Sequence, residues 1–487
     1  MAHIILLSVA LVPVFLILRI FYRIFFHPLS KYPGPVLAAS SRLWYINQMI
    51  NGTLAFTVKE LHQKYGKVVR IAPDELSFVS SQAWVDIYGF RNGKPEMSKE
   101  TPFFTSKNSS VGGVISAERE MHGILRKLMS RGFSEAALRE QEPIVQGYTQ
   151  LLIDQLKEES KKGKTVDMVS WYNFFTFDVI GDLAFGEPFG CLTSSSYHPW
   201  VKMIFDSMKF NYFCQALNYY PSIEWMLPLF MPKSLAQKGA DHHKMTVEKV
   251  MRRKQNKTDR MDFLSLMVKP ENGISDQQLI ANSNLLIVAG SETTATALAA
   301  CTWYLCKYPS TLAKLTAEIR TAFSSSDDIT FLGVNRLKYL NCVLTETLRC
   351  FPSTPTGVSR RVPQGGDMID GGFVAGGMQA GIAQLAANHY PSNFTRHDEF
   401  IPERFETNCP PEFANDDKAA MQSFSFGPRN CLGKNLAYVE MRLIIARILW
   451  EFDIEMCDGM ENWSDVKIFL VWDKKPLPVR LTPVPRD

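Results

Sequence analysis

Phe424-Ser-Phe-Gly-Pro-Arg-Asn-Cys-Leu-Gly433 sets a lone thiol, Cys431, in a turn that holds two glycines, a proline and two aromatic rings. Gly427 and Gly433 allow backbone conformations and close approaches that a Cβ would block. Pro428 stiffens the turn, and Phe424 and Phe426 can shield one side of the sulfur from water. Residues 436–449 read as a largely buried helix. A thiolate beside a helix N-terminus is stabilised by the helix dipole and by free backbone N–H groups. The same N–H groups can donate to a metal-bound sulfur and tune its electron release. The competing reading is a buried structural cysteine.

The chain has 487 residues, 21% of them charged and 12% aromatic, with a formal net charge of +4. So small a charge gives no case for nucleic-acid binding, and no internal repeat marks a solenoid. Its nine cysteines are an odd, scattered set without CxxC or Cys/His zinc spacing. That argues against a disulfide-stapled secreted fold and for a reducing compartment. Sequons occur at Asn108 and Asn393 and would go unused in a cytosolic domain. Residues 4–18 form an uninterrupted apolar or small run that continues around Arg19 and Arg23 to Phe26. This is about long enough to cross a bilayer, with the arginines snorkelling to the headgroups. The positive charges follow the apolar core, which favours an uncleaved anchor with a cytosolic body over the rival reading, a cleaved signal peptide. Residues 1–26 are therefore expected to be a membrane anchor and 27–40, with three prolines among His27–Pro35, a stiff non-helical hinge. Residues 41–487 form the globular domain.

Helical periodicity dominates that domain. Val68–Ile71 and Leu76–Val79 read as a hairpin, Glu135–Lys157 as a long amphipathic helix, and 252–262 as a polar surface linker. Late strand signals lie at 365–372 and 467–472. Ser275 is a candidate N-cap for a helix running through Ala289-Gly-Ser-Glu-Thr-Thr294. A carboxylate buried in an apolar helix is costly without a partner, and hydroxyls that bond back to the backbone can bend the helix and open a groove. Glu346 and Arg349, three apart on one helix face, can pair.

The cysteine loop resembles that of the cytochrome P-450 family, F-x-x-G-x-R-x-C-x-G, matching at Phe424, Gly427, Arg429, Cys431 and Gly433. Residues 289–294 resemble the family's oxygen-activation motif, and Pro402-Glu-Arg-Phe405 resembles its PERF segment. The resemblance implies a mainly α fold with a minor β region, the cytochrome P-450 fold, preceded by one N-terminal transmembrane helix. It implies haem b (iron protoporphyrin IX) with Cys431 as axial thiolate in a loop framed by Phe424 and Gly433. Thr293 and Glu292 then serve proton delivery. Glu346, Arg349 and Arg404 form a structural network. The haem propionates fall to Arg429, to His122 and Arg126 of an H-x-x-x-R version of the usual W-x-x-x-R pattern, and to Arg360, with its neighbour Arg361 as the alternative. By location, Phe103, Phe104, Leu286, Ala289, Val358 and Phe469 face a lipophilic substrate, though such residues equally suit a buried core.

The resemblance further implies a monooxygenase that takes NADPH electrons through NADPH-cytochrome P-450 reductase, with cytochrome b5 as a second donor, docking near Arg126, Lys127 and Lys434. Its place would be the endoplasmic reticulum membrane, single-pass, with the catalytic domain cytosolic. The wording of the motifs is closest to fungal members and points to a terpenoid, polyketide or alkaloid substrate. Two alternatives stay open: a same-fold hydroperoxide isomerase or dehydratase, and a non-catalytic membrane-tethered haem-binding protein.

Overall fold

Helices dominate the described residues, whose strands form four small sheets. The structure, a computed structural model, describes residues 2–91, 93–99, 112–220, 233–256 and 262–485. The central helix, Asp276–Lys307, starts in a capping box, in which the Ser275 side chain and Gln278 satisfy each other's backbone N–H groups. Among the described residues it is the helix long and apolar enough to cross a membrane by length and composition, yet most of it is buried. It is a core helix. It lies against Met168–Phe185, a helix buried almost all round. Gly290 permits this approach, because a Cβ there would stand 2.6 Å from Cδ1 of Ile180. The helix Lys434–Glu451, which follows the cysteine loop, packs on both the central helix and Glu135–Lys161.

A second apolar cluster surrounds a five-stranded sheet with strand order Val68–Ala72, Glu75–Phe78, Gln379–Ile382, Arg360–Arg361, Ser98–Lys99. The pairing of Glu75–Phe78 with Gln379–Ile382 is parallel and the other three are antiparallel. The helix Ser81–Tyr88 packs on this sheet, and its Tyr88 hydroxyl accepts from the Ile382 N–H at 3.1 Å and donates to the carbonyl of Val358 at 2.8 Å.

Several local expectations need correction. The Glu135 helix runs on to Lys161 and ends before Gly163, which takes a left-handed φ of +66°. The proline-rich segment is not a free spacer. Residues 36–40 are helical, Leu29 is fully buried, and the Arg70 N–H donates to the Pro33 carbonyl at 2.8 Å. The polar stretch 252–262 is not simply a surface linker: Arg252–Gln255 finish a helix, and Arg253 makes a buried 2.6 Å ion pair with Asp262. Charge alone could not tell that pair from a solvated run. The apolar run 467–472 folds back on itself as a hairpin, turning at Leu470 with φ +70°. Asn393, read as a possible sequon, is buried and donates to the carbonyls of Val79 and Ala387.

Behind the cysteine loop, the structure brings Glu346, Arg349 and Arg404 together with no solvent exposure. Arg349 grips Glu346 through two bonds of 2.7 and 2.9 Å, and Arg404 Nε reaches the same carboxylate at 3.1 Å. The remaining guanidinium protons go to the carbonyls of Asn388, His397, Glu399 and Thr395 and to Asp416. The cations thus fasten the 388–416 meander to the helix Lys338–Cys350. Removing one partner leaves buried charge uncompensated. Glu346→Gln is expected to lower unfolding stability by about 3–5 kcal/mol, read by chemical denaturation; a loss below about 1 kcal/mol, the range of an exposed pair, would contradict the network's role.

Candidate active site

Cys431 owes its position to backbone geometry. Ser425 and Gly427 both adopt positive φ, +60° and +74°, and a Cβ at Gly427 would stand 1.9 Å from the Tyr88 carbonyl oxygen. Glycine is required there. The loop closes through the Cys431 N–H, which donates to the Phe424 carbonyl at 2.8 Å, while the Phe424 ring packs on Tyr438 with centroids 5.0 Å apart. Gly433 has a different part from the one its type suggests. Its φ is −84°, and an added Cβ would make an ordinary 3.8 Å contact with Phe133. Its N–H instead donates to the Cys431 sulfur.

Solvent reaches the Cys431 side chain, yet burial pushes its thiol pKa up. Both hold when a side chain faces an internal gap, with protein on the other sides. The expected thiolate stabilisation at the helix N-terminus is therefore outweighed: the Gly433 N–H and the charges of Arg126 and Lys434 act downward, but desolvation exceeds them. A coordinating metal would reverse that balance by deprotonating the thiol.

Basic groups gather beside the loop. His122 and Arg126 lie one turn apart on the helix Arg119–Ser130. Arg126 donates to the Asn430 carbonyl at 2.6 Å and to that residue's side-chain oxygen. Arg429 pairs with Glu96 and donates to the Ala117 carbonyl at 3.0 Å. Arg360 is 6% exposed, lies over the Tyr88 ring at 5.1 Å, and keeps its buried Nη1 without a hydrogen-bond partner. Strand alternation sends Arg361 elsewhere, to the Gly377 carbonyl at 2.8 Å, so Arg360 is the member of the pair that joins this cluster.

Lys99, which stands opposite Arg360 across the sheet, was not legible in the sequence, since a two-residue strand gives no periodic signal. Burial, then Arg360 and Arg429, push its pKa down to about 6, and burial, Arg429, Lys99 and Arg126 push His122 down to about 4. Glu96 is the acid acting against them. Bases that depress one another around an unpartnered buried guanidinium nitrogen suit a ligand carrying two acidic groups, next to a soft sulfur ligand. The residues present fit a haem.

On the central helix, Ala289 is exposed in the midst of buried neighbours, so the helix wall opens at that level. Thr293 Oγ1 donates to the Ala289 carbonyl at 2.7 Å, and Ser353 Oγ to the Thr293 carbonyl at 2.8 Å. The helix is continuous from Asp276 to Lys307, and Ser283, Ser291 and Thr302 also bond back one turn. Here close packing on Met168–Phe185 holds it. Glu292 is buried and ion-paired with Lys474, a partner that sequence separation concealed.

The substrate-facing expectations divide. Phe103 and Phe104 lie outside the described residues. Leu286 packs in the helical core, while Ala289 is exposed and Val358 half-buried. Phe469 and Glu292 share the wall of a cavity of about 640 Å³ with Asn173, Tyr197 and Trp472.

Comparison with known proteins agrees with this geometry. The family profile described as Cytochrome P-450 matches residues 33–479. The cytochrome P-450 monooxygenase cpaH of Aspergillus oryzae is 47% identical, over 96% of this chain and 91% of the relative. The monooxygenase astJ of the same species is 44% identical, over 96% and 95%. An averantin hydroxylase of Dothistroma septosporum is 41% identical, over 95% and 88%.

One buried acid gives the site's surroundings a pH signature. Glu440, on the helix after the cysteine loop, is hydrogen-bonded to Thr294 of the central helix, and burial pushes its pKa from 4.5 up to about 8. The native state therefore holds a proton that the unfolded chain releases. This contribution to stability is fully present below about pH 4.5 and is lost as pH rises through about 8. Between pH 5.5 and 7.5, wild-type stability should fall relative to Glu440→Gln by about 1.4 kcal/mol per pH unit. Parallel pH profiles in chemical denaturation would contradict a neutral Glu440.

Proposed function

Because this chain belongs to the cytochrome P-450 family, we propose that it hydroxylates or epoxidises a lipophilic terpenoid, polyketide or alkaloid, using NADPH electrons delivered by NADPH-cytochrome P-450 reductase with cytochrome b5 as a second donor. It is a haem-thiolate monooxygenase of secondary-metabolite biosynthesis, a reading that the family match and relatives named as monooxygenases and a hydroxylase support. The observation that carries the reading is a solvent-reached Cys431 beside a basic cluster that holds an unpartnered buried Arg360 nitrogen.

When bound, haem b supplies dioxygen activation and transfer of one oxygen atom to the substrate. In this reading Cys431 would supply the sulfur that holds the haem, and the Gly433 N–H would temper its electron release. Arg360, His122, Arg126 and Arg429, joined by Lys99, receive the two carboxylates. Carboxylates there would offset the repulsion among the cations, which adds to burial in depressing Lys99 and His122. Ala289 leaves room above the site. The Thr293 hydroxyl, parked on the Ala289 carbonyl, turns from it to hand on a proton, and Glu292 one residue earlier is the acid that resupplies it.

The reading also takes residues 1–26 as a single-pass anchor in the endoplasmic reticulum, 27–40 as the segment joining it to the body, and 41–487 as the cytosolic catalytic domain. Residues 2–25 form one helix, and Phe15, Ile17, Leu18 and Phe25 expose about 60% of their surface. So large an apolar surface suits lipid, and Arg19 and Arg23 at its inner end suit a cytosolic body. Exposed Lys127 and Lys434, on the cysteine side, suit an acidic redox partner.

Thr293→Ala tests the proton role. NADPH oxidation should continue while product formed per NADPH falls steeply, toward the roughly 10²-fold that a positioned proton donor contributes. Hydrogen peroxide should account for the difference. Unchanged coupling would remove Thr293 from the reaction.

A further inference from the structure

We propose that Lys474 is the positioning residue of the acid Glu292, and that the cavity beside them is the path by which solvent protons reach it. The inference rests on the reading of Glu292 given above. Lys474 Nζ bonds Glu292 Oε1 and, at 2.7 Å, Thr296 Oγ1 one turn further along the central helix. The two charged side chains are 4% and 5% exposed. Glu292 Oε2, by contrast, is buried and makes no hydrogen bond. One oxygen is therefore pinned and the other is left with free lone pairs.

The next residue back, Asp473, pairs with Lys209 at 2.7 Å, and these side chains are 37% and 56% exposed. All four residues line the same cavity of about 640 Å³, together with the polar groups of Asn173 and Tyr197. It thus leads from an exposed ion pair to a buried one, with consecutive residues of one strand-end segment at the two levels. A cavity with polar groups spaced along it is wide enough for ordered water.

The step balances without any further reagent. A water in the cavity gives a proton to Oε2 of the Glu292 carboxylate as its own O–H bond breaks, and it regains one from bulk solvent through its neighbours. The Oε2–H bond then breaks as Thr293 Oγ1 accepts that proton and releases its own hydroxyl proton inward, and the carboxylate is restored beside the Lys474 ammonium. Without the ammonium, a carboxylate so little exposed is costly to keep charged, and it holds the proton it takes up. Lys474 is what makes the acid return its proton.

The test uses the full-length holoenzyme, with an unchanged ferrous–CO spectrum required of every variant. In variant-minus-wild-type infrared spectra of the resting ferric protein, where the band of neutral Glu440 cancels, Lys474→Met should show an added protonated-carboxyl stretch that disappears in the double variant Lys474→Met, Glu292→Gln. Lys474→Arg should lack the added band. In turnover, Lys474→Met should lower product per NADPH by about tenfold and raise the solvent isotope effect. Lys474→Arg should restore most of the coupling, and the double variant should be no worse than Glu292→Gln alone. If Glu292→Gln uncouples while Lys474→Met stays coupled and shows no new carboxyl stretch, Lys474 is a structural latch and the proposal falls, with the reading of Glu292 intact. If Glu292→Gln remains fully coupled, that reading falls and takes this proposal with it.

Discussion

A sulfur atom has to be kept from bulk water on most sides and yet left open on one, and much of this fold follows from that demand. The opening lets Cys431 meet a ligand, while burial holds its thiol pKa up until a metal displaces the proton. Meeting both conditions needs a loop whose path is fixed without help from side-chain bulk. Gly427 supplies it by letting the chain pass against the Tyr88 carbonyl, and Tyr88 in turn ties the sheet to the 353–358 segment. On the far side, the Glu346–Arg349–Arg404 network fixes the long meander that delivers the chain to residue 424. The loop's rigidity is thus borrowed from buried charge.

Charge also organises the opposite edge of the site. Lys99, His122, Arg126, Arg360 and Arg429 come from a short strand, a helix, a second strand and the cysteine loop itself, with Glu96 as their acid. Assembling several cations without equal counter-charge lowers stability, and two carboxylates would supply that charge and a partner for the Arg360 nitrogen. The central helix carries the complementary chemistry. Its hydroxyls are satisfied by their own backbone, so the helix stands unbroken while its Thr293 hydroxyl can be recruited. Its one charged side chain in that stretch, Glu292, is compensated from the C-terminal segment.

What could be read from the sequence was whatever short-range patterns encode. In the cysteine loop, at the capped start of the central helix and in the pairing of Glu346 with Arg349, the residues that act together lie within a few positions of each other, and spacing exposes them. Distances across the chain stayed hidden. Lys474 is 182 positions from Glu292, and nothing about either residue type announces the contact. Lys99 sits in a strand too short to show alternation. The choice between Arg360 and Arg361 needed the strand's facing direction, which single-residue shifts reverse. Gly433 was misjudged for a related reason: a glycine in a turn suggests left-handed backbone, whereas here the residue serves through its N–H. The polar run near Arg253 reads as solvated until its partner Asp262 is seen beside it.

The ferrous–CO difference spectrum of the full-length protein in membranes tests the central claim most directly. A thiolate from Cys431 opposite carbon monoxide predicts a strongly red-shifted Soret band, lost in Cys431→Ser. A folded wild-type protein whose band stands where histidine or neutral-thiol ligation puts it, unchanged by Cys431→Ser, would contradict the account.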